Sequence, residues 1–318
     1  MTRHETGPGR TVVTRRQLAD ALAALGVRPG GVAIVHSSLR AFGFVVGGAQ
    51  AVYEALREAV GPEGTLVMPA FTPQLCHPAT WRAADLARTD LSAAAAAMPV
   101  FDPLRTPVSR TMGVLPELLR ALPGTLRSPH PQVSFVAEGP RAREITRCHP
   151  DAYRLSSQSP LGELWRLDAT VLMLGTGWDK CTALHLAEYA VAYPGRRAGL
   201  WPLPGPGPAG TRWHEVPELL VWEGDFDRIG AEYEACGGPL ARMSVGTAVC
   251  RAVPLRPLVD FAAGWLPGHR DLRRGIAPPG WREVVDADGP LPLPRLVLDG
   301  GPQMRPQQLP QPAPGVPA

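Results

Sequence analysis

Leu18, Leu22 and Leu25 recur at helical spacing behind Thr14 and Gln17, which have the form of a capping box, and Gly26 ends the run. The pattern predicts a helix over residues 14–25. Residues 32–35 are wholly apolar, as in a strand buried on both faces. Gly47 and Gly48 precede a helical stretch over 49–60, closed by Gly61 and Pro62, and residues 65–68 read as the next strand. Strand, loop, helix, strand is the order of a crossover unit in a largely parallel sheet, whose ligand sites lie beyond the carboxyl ends of the strands. The polar loop His36-Ser37-Ser38 falls at such an end.

Residues 73–110 resist assignment, because the alanine run 93–97 favours helix while neighbouring prolines interrupt it; they read as a long insertion facing the substrate. Residues 113–122 read as helix, 133–137 and 170–174 as strands, and 182–192 as a helix opened by the turn Gly175-Thr176-Gly177. The segment PLPGPGP, residues 202–208, is expected to hold no regular structure. Residues 213–300 are expected to add strands and one helix around 256–265, and the Pro- and Gln-rich tail from 301 is expected to be disordered. There is no internal repeat.

With 318 residues, 45% of them hydrophobic, the chain can fill a substantial core. A net charge of +3 from 32 basic and 29 acidic residues gives no reason to expect nucleic acid or an anionic membrane as partner. Five cysteines without a C-x-x-C pair argue against a disulfide framework or a structural zinc, and no segment has the form of a signal peptide or a membrane span. A cytoplasmic protein is expected.

Chemistry concentrates in the stretch GTGWDKCTALHLAEY, residues 175–189, where His185 and Glu188 share a helix face. A carboxylate three residues on can fix the tautomer and orientation of an imidazole acting as general base; the same spacing also describes a helix histidine merely satisfied by a local carboxylate. Cys181 would share that face as an alternative nucleophile, but nothing in the sequence lowers its pKa. The loop His36-Ser37-Ser38-Leu39 can offer N–H groups to phosphate or carbonyl oxygen, or can be a plain capping loop. From Trp213 to Glu234 the acidic residues are Glu215, Glu218, Glu223, Asp225, Asp227, Glu232 and Glu234, against Arg228 alone. That run suits a multiply protonated amine, or a solvated face. The histidines give no metal-ligand spacing, so no metal is expected.

The strings VHSSLRAFGFVVGG (35–48), GPEGTLVMPAFT (61–72), RTMGVLPE (110–117), RSPHPQVSFVAEG (127–139), SPLGELW (159–165) and GTGWDKCTALHLAEY (175–189) resemble, in order and spacing, the aminoglycoside 3-N-acetyltransferase family. The likeness runs over roughly residues 14–267. It implies a mixed α/β fold, with a largely parallel sheet flanked by helices, distinct from the common acetyltransferase fold with its Gly-rich pyrophosphate loop. It implies a single domain over 13–300 between a flexible start at 1–12 and the tail at 301–318. Acetyl-CoA is implied as donor, and an aminoglycoside or other polyamine as acceptor, in a monomer or homodimer.

By the same resemblance His185 is the catalytic histidine and Glu188 its acidic partner; the Thr182 hydroxyl or the backbone N–H groups of the Ser37 to Leu39 loop are the candidate donors to a tetrahedral oxyanion. His36, Ser37, Ser38, Leu39, Val46, Gly47, Phe71, Met112, Gly113, Leu115 and Pro116 fall on the CoA side. Asp179, Glu223, Asp225 and Asp227 are the expected substrate contacts. Family members often carry Trp where Phe44 stands, Thr where Ala70 stands and an acid in the loop at Ser128-Pro129-His130, which bears on acceptor choice. The expected activity is N-acetylation of an aminoglycoside, giving antibiotic resistance; the alternative is a same-fold acetyltransferase acting on a biosynthetic or other non-antibiotic amine.

Overall fold

The computed structural model describes residues 11–81, 90–208 and 210–272, with the backbone of three two-residue strands at 282–283, 285–286 and 289–290. Residues 1–10 and the tail at 301–318 lie outside the described residues.

β1 (Val12–Val13) leads into α1 (Arg15–Ala24), which opens with the expected capping box: the Thr14 hydroxyl accepts from the Gln17 N–H, and the Gln17 side chain accepts from the Thr14 N–H. β2 (Val32–Ser37) follows, then β3 (Phe44–Val45), which pairs with β1 and so holds Val12, the last residue of the expected flexible start. α2 (Gly48–Val60) crosses to β4 (Thr65–Pro69). Within the long insertion, α3 (Leu91–Ala96) forms on the alanine run; residues 82–89 lie outside the described residues. Then come α4 (Val114–Ala121), β5 (Leu126–Arg127), β6 (Phe135–Glu138), α5 (Ala142–Thr146), α6 (Pro160–Arg166), β7 (Thr170–Leu174) and α7 (Leu184–Ala190). The hairpin β8 (Ala198–Gly207) and β9 (Gly210–Leu219), α8 (Phe226–Ala235), the hairpin β10 (Ala241–Val245) and β11 (Ala248–Pro254), and α9 (Leu255–His269) complete the fold.

The main sheet has seven strands in the order β10-β11-β7-β2-β4-β6-β5. β2 runs parallel to both β7 and β4, and the outer pairs on each side are antiparallel. Connection length accounts for two of these pairings. β2 reaches its parallel neighbour β4 through a helical crossover, whereas β10 and β11 are joined by Gly246 and Thr247 alone, a loop that only an antiparallel pair can use.

Side-chain alternation sorts this sheet into two cores. Ile34, Val67, Val171 and Met173 face one side, with residues of α5 to α9; Ala33, Val35, Leu66, Met68, Leu172 and Leu174 face the other, with α1, α2 and α4. The central strands are therefore apolar through their middles, with polar residues only at their ends: Thr65, Thr170, His36 and Ser37. Among the described residues no helix is long and apolar enough to cross a membrane.

Two expectations are corrected. Residues 202–207 of the Pro-Gly segment are strand: β8 pairs with β9 from Ala198↔Leu219 to Gly207↔Gly210. Pro202, Pro204 and Pro206 fall on alternate positions, so their missing N–H groups all lie on one edge while Leu203 and Gly205 present theirs to the other. Among the described residues beyond 213 there are two helices, α8 and α9, where one was expected.

Candidate active site

The carboxyl ends of β2 and β7 lie side by side. Ser37 is the register partner of Leu174, and the Ser38 N–H donates to the Leu174 carbonyl at 2.9 Å. Gly175 follows with φ +73°, and a Cβ there would stand 2.6 Å from the Ala41 Cβ and 3.1 Å from the Ser38 carbonyl oxygen. Only glycine lets the chain turn this close to the neighbouring loop. A 3-10 turn at Trp178–Lys180 then delivers the chain to α7.

On α7 the His185 Nδ1 stands 2.5 Å from Glu188 Oε2, and Glu188 is wholly buried. A carboxylate only accepts, so Nδ1 carries the hydrogen and Nε2 presents its lone pair. Nε2 has no hydrogen-bond partner among the described residues, the side chain keeps 13% exposure, and the Phe226 ring packs edge-on at 4.9 Å. The imidazole is thus oriented and still reachable, an arrangement able to take a proton from a bound nucleophile.

Glu188 is itself held. Its Oε1 accepts the Trp222 N–H at 2.8 Å and an Nη1 hydrogen of Arg270. Arg270 also donates from Nε to Asp225 Oδ2 at 2.8 Å, from Nη2 to Asp225 Oδ1, and from Nη2 to the Trp222 carbonyl at 2.9 Å. Burial opposes the guanidinium charge, but the bonds to Asp225 and the nearby Glu188 carboxylate hold it more firmly protonated than usual. Asp225 was expected to meet substrate. Instead both its oxygens are committed to Arg270, because a buried guanidinium needs its charge met. Arg270 itself carries no signal in the sequence: it is 82 residues from Glu188 and stands alone where the apolar period of α9 ends.

The other expected acceptor residues come together. The Asp179 N–H donates to Asp227 Oδ1 at 3.1 Å, Asp179 Oδ2 lies 2.8 Å from Lys180 Nζ, and Glu223 and Asp227 add to the field that raises the Lys180 pKa. The rest of the acidic run divides. Glu218 is buried with Tyr189 and Arg154, Glu232 binds Trp265 and Arg228, and Glu234 binds Trp178 and Arg251.

On the expected donor side, Gly113 lies beside Ser37, whose carbonyl oxygen is 3.6 Å from where a Gly113 Cβ would be, and the Ser109 N–H donates to the Phe71 carbonyl at 3.0 Å. Ser37, Phe71, Met112 and Gly113 are so gathered at one end of the sheet, with Ser38 and Leu39 continuing from β2. Leu115 is fully buried and Pro116 is buried on the core face of α4, so Leu115 offers a ligand no side-chain surface. Val46 is exposed, its N–H held by the Val13 carbonyl, and Gly47 caps α2 in the left-handed conformation.

Thr182 lies one turn before His185 and its carbonyl accepts the His185 N–H at 3.1 Å. Burial lowers the His36 pKa to about 4, so that ring is neutral near pH 7, and its Nε2 and the Thr176 Oγ1 are buried without a hydrogen-bond partner. Such orphaned atoms at strand ends suit a polar ligand. Burial pushes the Cys181 thiol up to about 12, which leaves it without thiolate character.

A cavity of about 550 Å³ beside Arg28, Val32, Arg141 and Thr170 opens at the amino ends of β2 and β7, the opposite end of the sheet, and contains none of the expected site residues. Among the described residues no group of three His, Cys, Asp or Glu side chains is placed to hold a metal.

Comparison with known proteins bears on this geometry. The family model described as aminoglycoside 3-N-acetyltransferase matches residues 34–267. The chain is 37% identical over 252 residues to the SPbeta prophage-derived aminoglycoside N(3')-acetyltransferase-like protein YokD of Bacillus subtilis (strain 168), covering 79% of this chain and 92% of that one. The solved structure of AAC-IIIb binary with CoASH superposes with a TM-score of 0.71 at 33% identity, over 82% of this chain and 98% of the other. That of AAC-VIa bound to sisomicin does so with a TM-score of 0.70 at 29% identity, over 80% and 98%.

Proposed function

The chain belongs to the aminoglycoside 3-N-acetyltransferase family and is an acyltransferase, and on that premise we propose that it moves the acetyl group of acetyl-CoA to an amine of a 2-deoxystreptamine-type aminoglycoside, conferring resistance, with His185 as general base. The observation that carries the reading is the His185–Glu188 pair, whose Nδ1 is engaged and whose Nε2 is left to receive a proton.

A neutral amine of the acceptor attacks the thioester carbonyl carbon. His185 Nε2 takes the proton that the nitrogen sheds, Glu188 stabilises the imidazolium, and as the carbon–sulfur bond breaks the sulfur leaves as thiolate, to which the imidazolium returns that proton. Ser37, Ser38, Leu39, Phe71, Met112 and Gly113 hold the donor, whose polar arm suits the unpartnered His36 Nε2 and Thr176 Oγ1. The Ser38 N–H is taken by the Leu174 carbonyl, so the N–H groups of Ser37 and Leu39, with the Thr182 hydroxyl, are the donors assigned to the developing oxyanion. Asp179, Glu223 and Asp227 meet the ammonium groups of the acceptor, each of which needs a partner as it loses water. A cytoplasmic location belongs to the same proposal, supported by five unpaired cysteines.

Thiol release from acetyl-CoA, measured with a panel of aminoglycosides and mass spectrometry of the products, tests the proposal. One added acetyl group, with His185→Ala lowering turnover about 100- to 10,000-fold, is expected. Release with other amines only would move the substrate to the non-antibiotic class, and an active His185→Ala enzyme would remove the base.

A further inference from the structure

We propose that Arg270 is a positioning residue for this reaction, a clamp that joins Asp225 and Glu188 into one buried relay behind His185 and sets how readily the imidazole gives up its proton. The inference rests on the reading of His185 as base. Arg270 lies beyond residues 34–267, the region matched by the family model. Its side chain is wholly buried, its fork is divided between two carboxylates and the Trp222 carbonyl, and its plane is surrounded by Tyr193 at 5.3 Å, Trp222 at 5.7 Å and Phe226 at 5.9 Å. One side chain thus ties the end of α9 to the segment before α8 and to α7. A guanidinium suits this role because its planar donors can serve two carboxylates at once without losing charge.

The relay fixes a charge balance. With His185 neutral, Asp225, Arg270 and Glu188 sum to one negative charge, which an imidazolium cancels. The other titratable groups nearby keep their charge near neutral pH. Tyr193, after α7, and Tyr189, on α7 against Glu218 of β9, are held protonated by burial, as is Cys181, while Arg196 remains cationic. Without Arg270, two carboxylates would share one imidazole, so His185 would bind its proton more tightly. Neutralising Asp225 would act in the opposite direction.

The test compares wild type with Arg270→Gln, Arg270→Lys and Asp225→Asn by kcat/KM from pH 5 to 9, and by an NMR titration of the His185 ring that needs no turnover. The acid limb and the ring titration are expected to move up by about one pH unit in Arg270→Gln, down in Asp225→Asn, and back toward wild type in Arg270→Lys. Losses of activity with the acid limb and the ring titration unmoved would overturn the proposal by reducing Arg270 to a packing group. Should Arg270→Gln fail to fold, Asp225→Asn alone decides: an unmoved or upward-shifted limb overturns the clamp. Opposed NMR shifts together with an active His185→Ala enzyme would keep the clamp and sink the general-base reading, so the two fail separately.

Discussion

Glu188 Oε2 lies 2.5 Å from His185 Nδ1 while Oε1 of the same carboxylate is taken by the Trp222 N–H and Arg270, so the group that orients the base is itself immobilised. A carboxylate fixed at both oxygens cannot rotate away as charge develops on the imidazole. Pre-organisation of this kind acts on the transition state more than on ground-state binding.

Glu188→Gln tests that separation. The amide keeps the shape but can donate toward Nδ1 and so favours the wrong tautomer, which strands the proton on Nε2. Turnover is expected to fall about 100-fold or more, with the Michaelis constant for acetyl-CoA changed by no more than about twofold. Steady-state kinetics check this, and a kcat within about threefold of wild type would deny Glu188 its role.

Asp179, Glu223 and Asp227 share the field of Lys180, the only lysine in the chain. Glu223→Gln and Asp227→Asn should each raise the acceptor Michaelis constant about three- to tenfold, and Lys180→Ala should lower it by removing a competing cation, since an exposed ion pair contributes up to about 1 kcal/mol. The Michaelis constant for acetyl-CoA should not follow. Equal constants across all three variants would mean that this rim does not touch the acceptor.

Much of the architecture could be read from local pattern. The capping box at Thr14 and Gln17, the apolar runs of β2, β4 and β7, and the spacing of His185 and Glu188 act within a few residues, where periodicity and hydrogen-bond geometry decide the outcome. What escaped was tertiary. The acidic run from Glu215 to Glu234 looked uniform, yet Asp225, Glu218 and Glu234 are each neutralised by arginines brought from distant elements, and only the fold reveals which carboxylates remain for a ligand. The proline-rich β8 escaped for a different reason: composition marks proline as a strand breaker, whereas its spacing at every second residue leaves one edge intact.

Stability should depend on pH through the buried histidines. Burial lowers the His36 pKa to about 4 and the His149 pKa to about 3, from 6.5. Above pH 6.5 both states of the chain carry these rings neutral and the stability is complete. As pH falls below 6.5 the unfolded chain binds protons that the folded one refuses, so each histidine costs about 1.4 kcal/mol per pH unit until its folded-state value is reached. Denaturant unfolding between pH 6.5 and 5, where most carboxylates stay ionised, should show a steep loss that His149→Gln makes shallower. A flat profile over that interval would contradict the burial of both rings.

Gly230→Ala sets helix propensity against packing. In the middle of α8, alanine would by propensity alone stabilise the helix by about 1 kcal/mol. Its Cβ, however, would stand 2.0 to 2.4 Å from the Trp178 indole, closer than any real contact, and that ring is pinned by its Nε1–H bond to Glu234 at 2.9 Å. The ring cannot give way without disturbing the turn that delivers the chain to α7. Packing should therefore win: thermal unfolding is expected to reveal a net loss of about 1–3 kcal/mol, the usual cost of overpacking. Turnover should fall with it, because Trp178 lies only a few residues before His185. A stabilised and fully active Gly230→Ala protein would mean that the indole moves freely and that the turn it anchors does not position the base.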